Sequence, residues 1–193
     1  MGPAAVWPVR ANLAGMIARF ALTALSALLL LVLWVSPTLA GVEEIRLGLS
    51  LHDIGFLGTD KEEGMDAVAE ILFRSPELLA AIGSPRPHVG IAVNTVGDTS
   101  QLYAGMSWTF EPVDRLLLEV SLGGALHDGQ LNGDDVDRKQ LGARVLFRET
   151  VAVGYRLDDR NRLLLVFDHE SNARLARHNE GLNNVGLRWG YRF

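Results

Sequence analysis

A chain of 193 residues is long enough for one ordinary domain, and its formal charge of −5 gives no reason to expect a nucleic-acid partner. It contains no cysteine, which excludes disulfides and thiolate metal sites. The first 40 residues read as an export signal: Arg10 and Arg19 precede an uncharged apolar run over 20–35, and "SPTLAG" follows. Thr38 and Ala40 stand at the positions recognised for cleavage after Ala40. The alternative is an uncleaved anchor. However, the apolar run of 16 residues is shorter than the roughly 20 a spanning helix needs, and Pro37 breaks a helix just beyond it. The mature chain is then 41–193.

Beyond Gly41 the dominant signal is period-two alternation, the mark of strands. Ile45, Leu47, Leu49 and Leu51 share one face. Met65, Ala67, Ala69, Ile71 and Phe73 form a second stripe, and Val89, Ile91 and Val93 a third. Leu102, Ala104, Met106, Trp108 and Phe110 face away from Tyr103, Gly105, Ser107 and Thr109. Leu116, Leu118, Val120 and Leu122 make a fifth strand. The stretch 140–157 puts Leu141, Ala143, Val145, Phe147, Val151, Val153 and Tyr155 on one side, with Arg144, Arg148, Thr150 and Arg156 opposite. Leu163, Leu165 and Phe167 begin a seventh strand, and Val185, Leu187, Trp189, Tyr191 and Phe193 make an eighth. "VGDTS", "EPVD" and "LDDRN" are short turns. The segments 52–64 and 126–139 are long, polar loops, and 75–87 has room for a helical turn. With both termini facing the periplasm, 52–64, "VGDTS", 126–139 and the loop after His169 lie outside.

The pattern predicts an all-β fold: an eight-stranded antiparallel transmembrane β-barrel. A soluble barrel would hide Leu, Val, Phe and Trp inside. A narrow barrel in lipid shows them outward and fills its interior with small residues and a polar network. Closure leaves no unpaired backbone edge in hydrocarbon. A terminal aromatic preceded by apolar residues at every second position is the assembly signal of bacterial outer-membrane barrels, which places the chain in the Gram-negative outer membrane. Tyr103, Trp108, Trp189 and Tyr191 read as girdle residues at the membrane interfaces.

His169 and Ser171 keep the outward parity of Leu163, Leu165 and Phe167, at the outer end of their strand. Serine needs a nearby base to act as a nucleophile, and histidine suits that task. By spacing alone, H-x-S is a weak signal, and a polar girdle at the headgroup level is the simpler reading. His52-Asp53 and His127-Asp128 are weak metal signals in loops. His88 and His178 read as solvated or interior polar residues.

"HESNA" followed by "NEGLNNVGLRWGYRF" resembles the lipid A 3-O-deacylase family of outer-membrane barrels. So do "LGGALHDG" at 122–129, "LGARVLFRETVAVGYRL" at 141–157 and "HVGIAVNTVGDTS" at 88–100. The resemblance covers 41–193. It implies hydrolysis of the ester-linked 3-hydroxyacyl chain of lipid A, with lipopolysaccharide as substrate and no metal or organic cofactor. It also implies Ser171 as nucleophile, His169 as base and Asn172 in the oxyanion hole. Two positions depart from the family pattern. Asn183, outward by its parity with Val185 and Leu187 and so beside His169 on the neighbouring strand, stands where the family carries Glu, with Glu180 as an alternative acid, and Arg174 stands where it carries Gly. A non-catalytic barrel with a structural or surface role, and an esterase for another lipid, are the rival readings. The oligomeric state is open between monomer and dimer.

The mature protein is expected to start at Gly41 and to fractionate with outer membranes. N-terminal sequencing of membrane-extracted protein checks this, and a retained 20–35 segment counts against it.

Overall fold

The computed structural model describes residues 41–55, 58–133 and 135–193. The expected signal segment, 1–40, lies outside them. Eight strands follow in order: β1 (Val42–Leu51), β2 (Met65–Phe73), β3 (Arg86–Asn94), β4 (Gln101–Val113), β5 (Leu116–His127), β6 (Val145–Arg156), β7 (Asn161–Ser171) and β8 (Leu182–Arg192). A 3₁₀ segment, Glu77–Ile82, occupies the β2–β3 connection. Each strand pairs antiparallel with its chain neighbour, and β8 returns to β1 to close the barrel. The predicted fold is the observed one. No helix among the described residues is long and apolar enough to cross a membrane. Most strands, at 9 to 12 residues, have about the length a tilted spanning strand requires.

The wall is inside-out relative to a soluble barrel. Leu49, Leu165 and Leu187 are more than half exposed on the outside. The interior is an ionic lattice. Arg46 makes a two-pronged contact with Glu119 at 2.6 and 2.8 Å and reaches Glu44 at 2.7 Å. Arg188 bridges Asp168 at 2.6 Å and Glu70 at 3.3 Å. His88 and Ser121 both bond Ser107 Oγ, at 2.9 and 2.8 Å. Buried charge is costly unless paired and hydrogen-bonded. Among these residues each guanidinium meets more than one carboxylate, which is how a narrow interior can be packed with polar groups.

Two sequence expectations are corrected. Tyr103 is not a girdle residue: it is buried inside the barrel, with the Arg148 guanidinium 3.9 Å from its ring centroid. Its parity with Gly105 and Ser107 already pointed inward. The 140–157 alternation is not one strand either. β6 starts at Val145, and Leu141 is buried against Leu146 and Leu182 rather than facing lipid. The break comes at Gly142, whose φ of +73° is incompatible with a strand.

Gly41 and Phe193 lie at one rim, and the 52–64, 95–100, 128–144 and 172–181 connections lie at the other. At the loop rim the 52–64 and 128–144 connections are clasped together. Both ring nitrogens of His52 face carboxylates, Nδ1 at 2.9 Å from Asp66 and Nε2 at 3.0 Å from Glu62. Glu62 also accepts the Lys139 N–H at 3.0 Å. The buried Lys139 ammonium lies 3.0 Å from Asp53. Asp53 N–H in turn reaches Asn184 on β8 at 2.9 Å.

Two carboxylates on two ring nitrogens require both nitrogens to donate, so His52 is an imidazolium. Burial disfavours that charge, but the bonds to Asp66 and Glu62 more than offset it and raise the pKa from 6.5 to about 9. Burial likewise works against the Glu62 carboxylate. Its bonds to His52, Thr99 and Lys139 prevail and bring it down from 4.5 to about 2. The raised His52 therefore contributes stability that is complete below pH 6.5 and is lost as pH rises through about 9. The depressed Glu62 contributes above pH 4.5 and is lost as pH falls through about 2. Proteolytic cleavage within 52–64 should accelerate as pH rises through about 9. His52→Gln should cleave faster at lower pH and lose that dependence. A cleavage rate flat across the window in the unaltered protein counts against the charged clasp.

Candidate active site at the loop rim

β7 carries a polar pair out of an apolar wall. Leu163 and Leu165 are exposed on the outer face, and Phe167, His169 and Ser171 continue the same parity, partly exposed. Alternate strand residues lie on one face with Cα atoms roughly 6–7 Å apart. The sheet register sets the neighbours of His169: Asn183 on β8 on one side and Glu149 on β6 on the other. Ser171, the last residue of β7, is opposite Phe147.

His169 Nδ1 lies 2.7 Å from Asn183 Oδ1. An amide oxygen only accepts, so Nδ1 donates, and in the neutral ring Nε2 holds the lone pair. Asn183 is thus beside His169, as parity predicts, but it is fully buried rather than open to lipid. Its carbonyl accepts Ile54 N–H from the β1–β2 loop at 2.8 Å. Its Nδ2 has no hydrogen-bond partner among the described residues. His169 and Ser171 are not hydrogen-bonded to each other in this structure.

The chain turns sharply after Ser171, and Asn172 organises the turn. Its side-chain amide donates to the carbonyls of Leu141 at 2.7 Å and His178 at 2.5 Å. Its own N–H donates to Asn179 Oδ1 at 2.7 Å. Both side-chain donors of Asn172 are therefore spent on holding the 128–144 and 172–181 loops together. That leaves it no side-chain donor for an oxyanion, the role suggested by sequence. The two loops touch so closely that a Cβ on Gly142 would fall 1.9 Å from the His178 carbonyl oxygen.

Ala173 and Arg174 follow with φ of +51° and +61°, both left-handed. Each such residue costs about 1–2 kcal/mol unless it is glycine. This explains why a family pattern would place Gly at 174, and Arg174 adopts the same conformation regardless. The N–H groups of Ala173 and Arg174 make no hydrogen bond among the described residues. Asn179, which sequence reasoning missed, has its oxygen fixed by Asn172 and its amide nitrogen unengaged. These three donors, all on the loop that follows Ser171, make no hydrogen bond among the described residues.

Glu180 is not placed to serve His169. Lys61 Nζ binds one of its oxygens at 2.6 Å, and Gln140 N–H binds the other at 2.7 Å. Partial burial raises its pKa, but these two contacts outweigh that and lower it. Glu149 was also missed. It sits on the outer face between Phe147 and Val151, exposed and without a hydrogen bond or ion pair among the described residues. Its parity was legible, but a lone acid in an apolar stripe is easily passed over.

Comparison with known proteins agrees with this architecture. The outer-membrane enzyme PagL superposes with a TM-score of 0.58 at 16% identity, covering 78% of this chain and 99% of that one. Neisserial surface protein A superposes with a TM-score of 0.55 at 10% identity, covering 80% of this chain and 99% of that one. A designed transmembrane barrel, TMB2.3, gives 0.50 at 10% identity, with 80% and 95% covered. At these identities the likeness shows the fold, that of outer-membrane barrels. No curated protein sequence matches the chain. The family model described as lipid A 3-O-deacylase (PagL) matches residues 78–192. That span is more than half of the sequence and takes in β7, the turn after it and β8, so the chain belongs to the lipid A 3-O-deacylase family.

Proposed function

We propose that this protein is an outer-membrane lipid A 3-O-deacylase that uses Ser171 as nucleophile and His169 as general base. The observation that carries the reading is the His169–Asn183 bond at 2.7 Å, set on the lipid-facing wall with Ser171 two residues away. A lipid ester leaves the bilayer only at high cost. Machinery presented sideways to the outer leaflet meets it without extraction. Exposed Arg174 and Arg177 lie in the loop beside Ser171 and suit the phosphates of a lipid A headgroup.

In the reaction, Ser171 Oγ attacks the carbonyl carbon of the 3-O-acyl ester while His169 Nε2 takes the hydroxyl proton. The carbonyl oxygen becomes an oxyanion, for which Ala173 N–H, Arg174 N–H and Asn179 Nδ2 are the unengaged donors. Collapse breaks the bond to the sugar O3, and His169 returns the proton to that leaving oxygen. Water then attacks the acyl-serine, again giving its proton to His169; the bond to Ser171 Oγ breaks, His169 returns the proton to that oxygen, and 3-hydroxy fatty acid leaves. Preorganised donors of this kind are worth a few kcal/mol at the oxyanion. No step draws on a metal or organic cofactor. The signal over 1–40 and an outward-facing loop rim complete the proposal.

Mass spectrometry of lipid A from cells with and without the gene is the direct test. Loss of one 3-hydroxyacyl chain supports the proposal, and unchanged lipid A favours a non-catalytic barrel. Ser171→Ala and His169→Asn should each lower turnover by about 10⁴–10⁶-fold. Both should still run as closed barrels, with different gel mobility before and after boiling. Near-normal turnover by Ser171→Ala would sink the assignment.

Asn183→Ala should lower turnover by about 10²–10⁴-fold, the usual weight of an oriented base. Asn183→Glu should retain or raise it, because a carboxylate both orients the ring and stabilises its cation. Glu180→Ala should disturb the loops without matching the loss in Asn183→Ala. The reverse ranking, measured on purified lipid A in one detergent, would transfer the orienting role to Glu180.

A further inference from the structure

The outer faces of the strands are almost free of acid. Apart from one acid at the terminal rim, they carry a single carboxylate among the described residues, Glu149, close to the loop rim. The other outward-facing acid, Glu43, sits at the terminal rim and is ion-paired with Arg192. A carboxylate on a lipid-facing wall is unfavourable unless something nearby rewards it. Glu149 has no partner among the described residues. What it has is a position: it is the β6 residue directly opposite His169 on β7. Directly opposed residues of an antiparallel pair have Cα atoms about 4.5–5.5 Å apart with side chains on the same face. His169 is therefore flanked in one row across three strands, by Glu149 on β6 and Asn183 on β8. Next in the row beyond Glu149 comes Leu122 on β5, which offers no competing charge.

The two flanks do different things. Asn183 fixes the ring through Nδ1. It is neutral and gives no charge to oppose the one His169 acquires when it takes the serine proton. Glu149 is the nearest anion on the outer face, and the low dielectric of the membrane side lengthens the reach of its field.

We propose that the base of this site is served by two residues on opposite strands: Asn183 orients the imidazole, and Glu149 stabilises the imidazolium that forms during acyl transfer. Glu149 acts through His169 and touches no substrate atom. The inference rests on the Ser171–His169 reading.

The test is steady-state kinetics on purified lipid A in detergent, with the mature barrel and its variants checked for closure by their gel shift on boiling. Glu149→Gln keeps the shape and removes the charge, and Glu149→Ala is the second truncation. Each should lower kcat by roughly 10–100-fold with KM unchanged. Adding Asn183→Glu to Glu149→Gln should restore most of the lost kcat, because it returns a carboxylate to the ring from the other strand. A merely structural loss would not be rescued in this way. Wild-type kcat in both Glu149 variants, a loss confined to KM, or failure of Asn183→Glu to rescue each overturns the proposal. Ser171→Ala separates the two levels: if it is active, the Ser-His reading itself fails. If it is inactive while the Glu149 variants are normal, only the role of Glu149 falls.

Discussion

Pairing of β8 with β1 is the contact on which the rest of the molecule depends. In hydrocarbon an unpaired strand edge leaves a row of amide groups without water, and each costs several kcal/mol. Closing the sheet satisfies them all. It also fixes which residues face lipid, because period-two side chains leave no choice once the register is set. The inner positions then crowd into a narrow lumen. Arg46, Arg148 and Arg188 fill it with Glu44, Glu70, Glu119, Asp168 and Glu170. Each of these guanidinium groups meets more than one carboxylate, which offsets the cost of burying the charges.

The candidate site is placed by the same register. His169, Asn183 and Glu149 come from three strands and are distant in sequence, yet the register places them in one row. A slip of one residue on β7 would send His169 inward and replace it with Glu170 or Asp168. The strand wall thus holds His169 and its flanking groups, whereas Ser171 sits at the point where the wall ends. From Ser171 the chain enters a turn with two left-handed residues, braced by Asn172 and by Gly142 of the neighbouring loop. Free N–H groups are a by-product of that backbone conformation. An extended strand would have spent them on its ladder.

The loop rim adds a second layer of support. The charged His52, Glu62, Lys139 and Asp53 tie the β1–β2 and β5–β6 loops to β8. Gln140 and Glu180 tie the β5–β6 loop to the β7–β8 loop. Glu180 is thereby a brace, and its acidity is used against Lys61 rather than against His169. The polar residues of the rim fall into two groups: those that knit loops together and those left without partners near Ser171.

Alternation alone determined the number of strands, their outward faces and the outward parity of His169, Ser171 and Asn183, because a two-residue period is written directly in the chain. The inward place of Tyr103 was legible in the same way, from its parity with Gly105 and Ser107, although its aromatic character suggested a girdle. Loop contacts were not legible. Leu141 keeps the parity of a lipid-facing residue, but the turn at Gly142 buries it. Asn172, Asn179 and Glu180 look alike as polar loop residues. Only the folded loops decide that Asn172 spends its donors on Leu141 and His178 while Asn179 keeps its own. The β6 neighbour of His169, Glu149, needed the register of β6 against β7, which depends on where the irregular 128–144 loop hands the chain back to the sheet. The repeat of a strand is local and therefore readable from sequence, whereas the partner of a side chain across strands or loops is set by closure of the whole barrel.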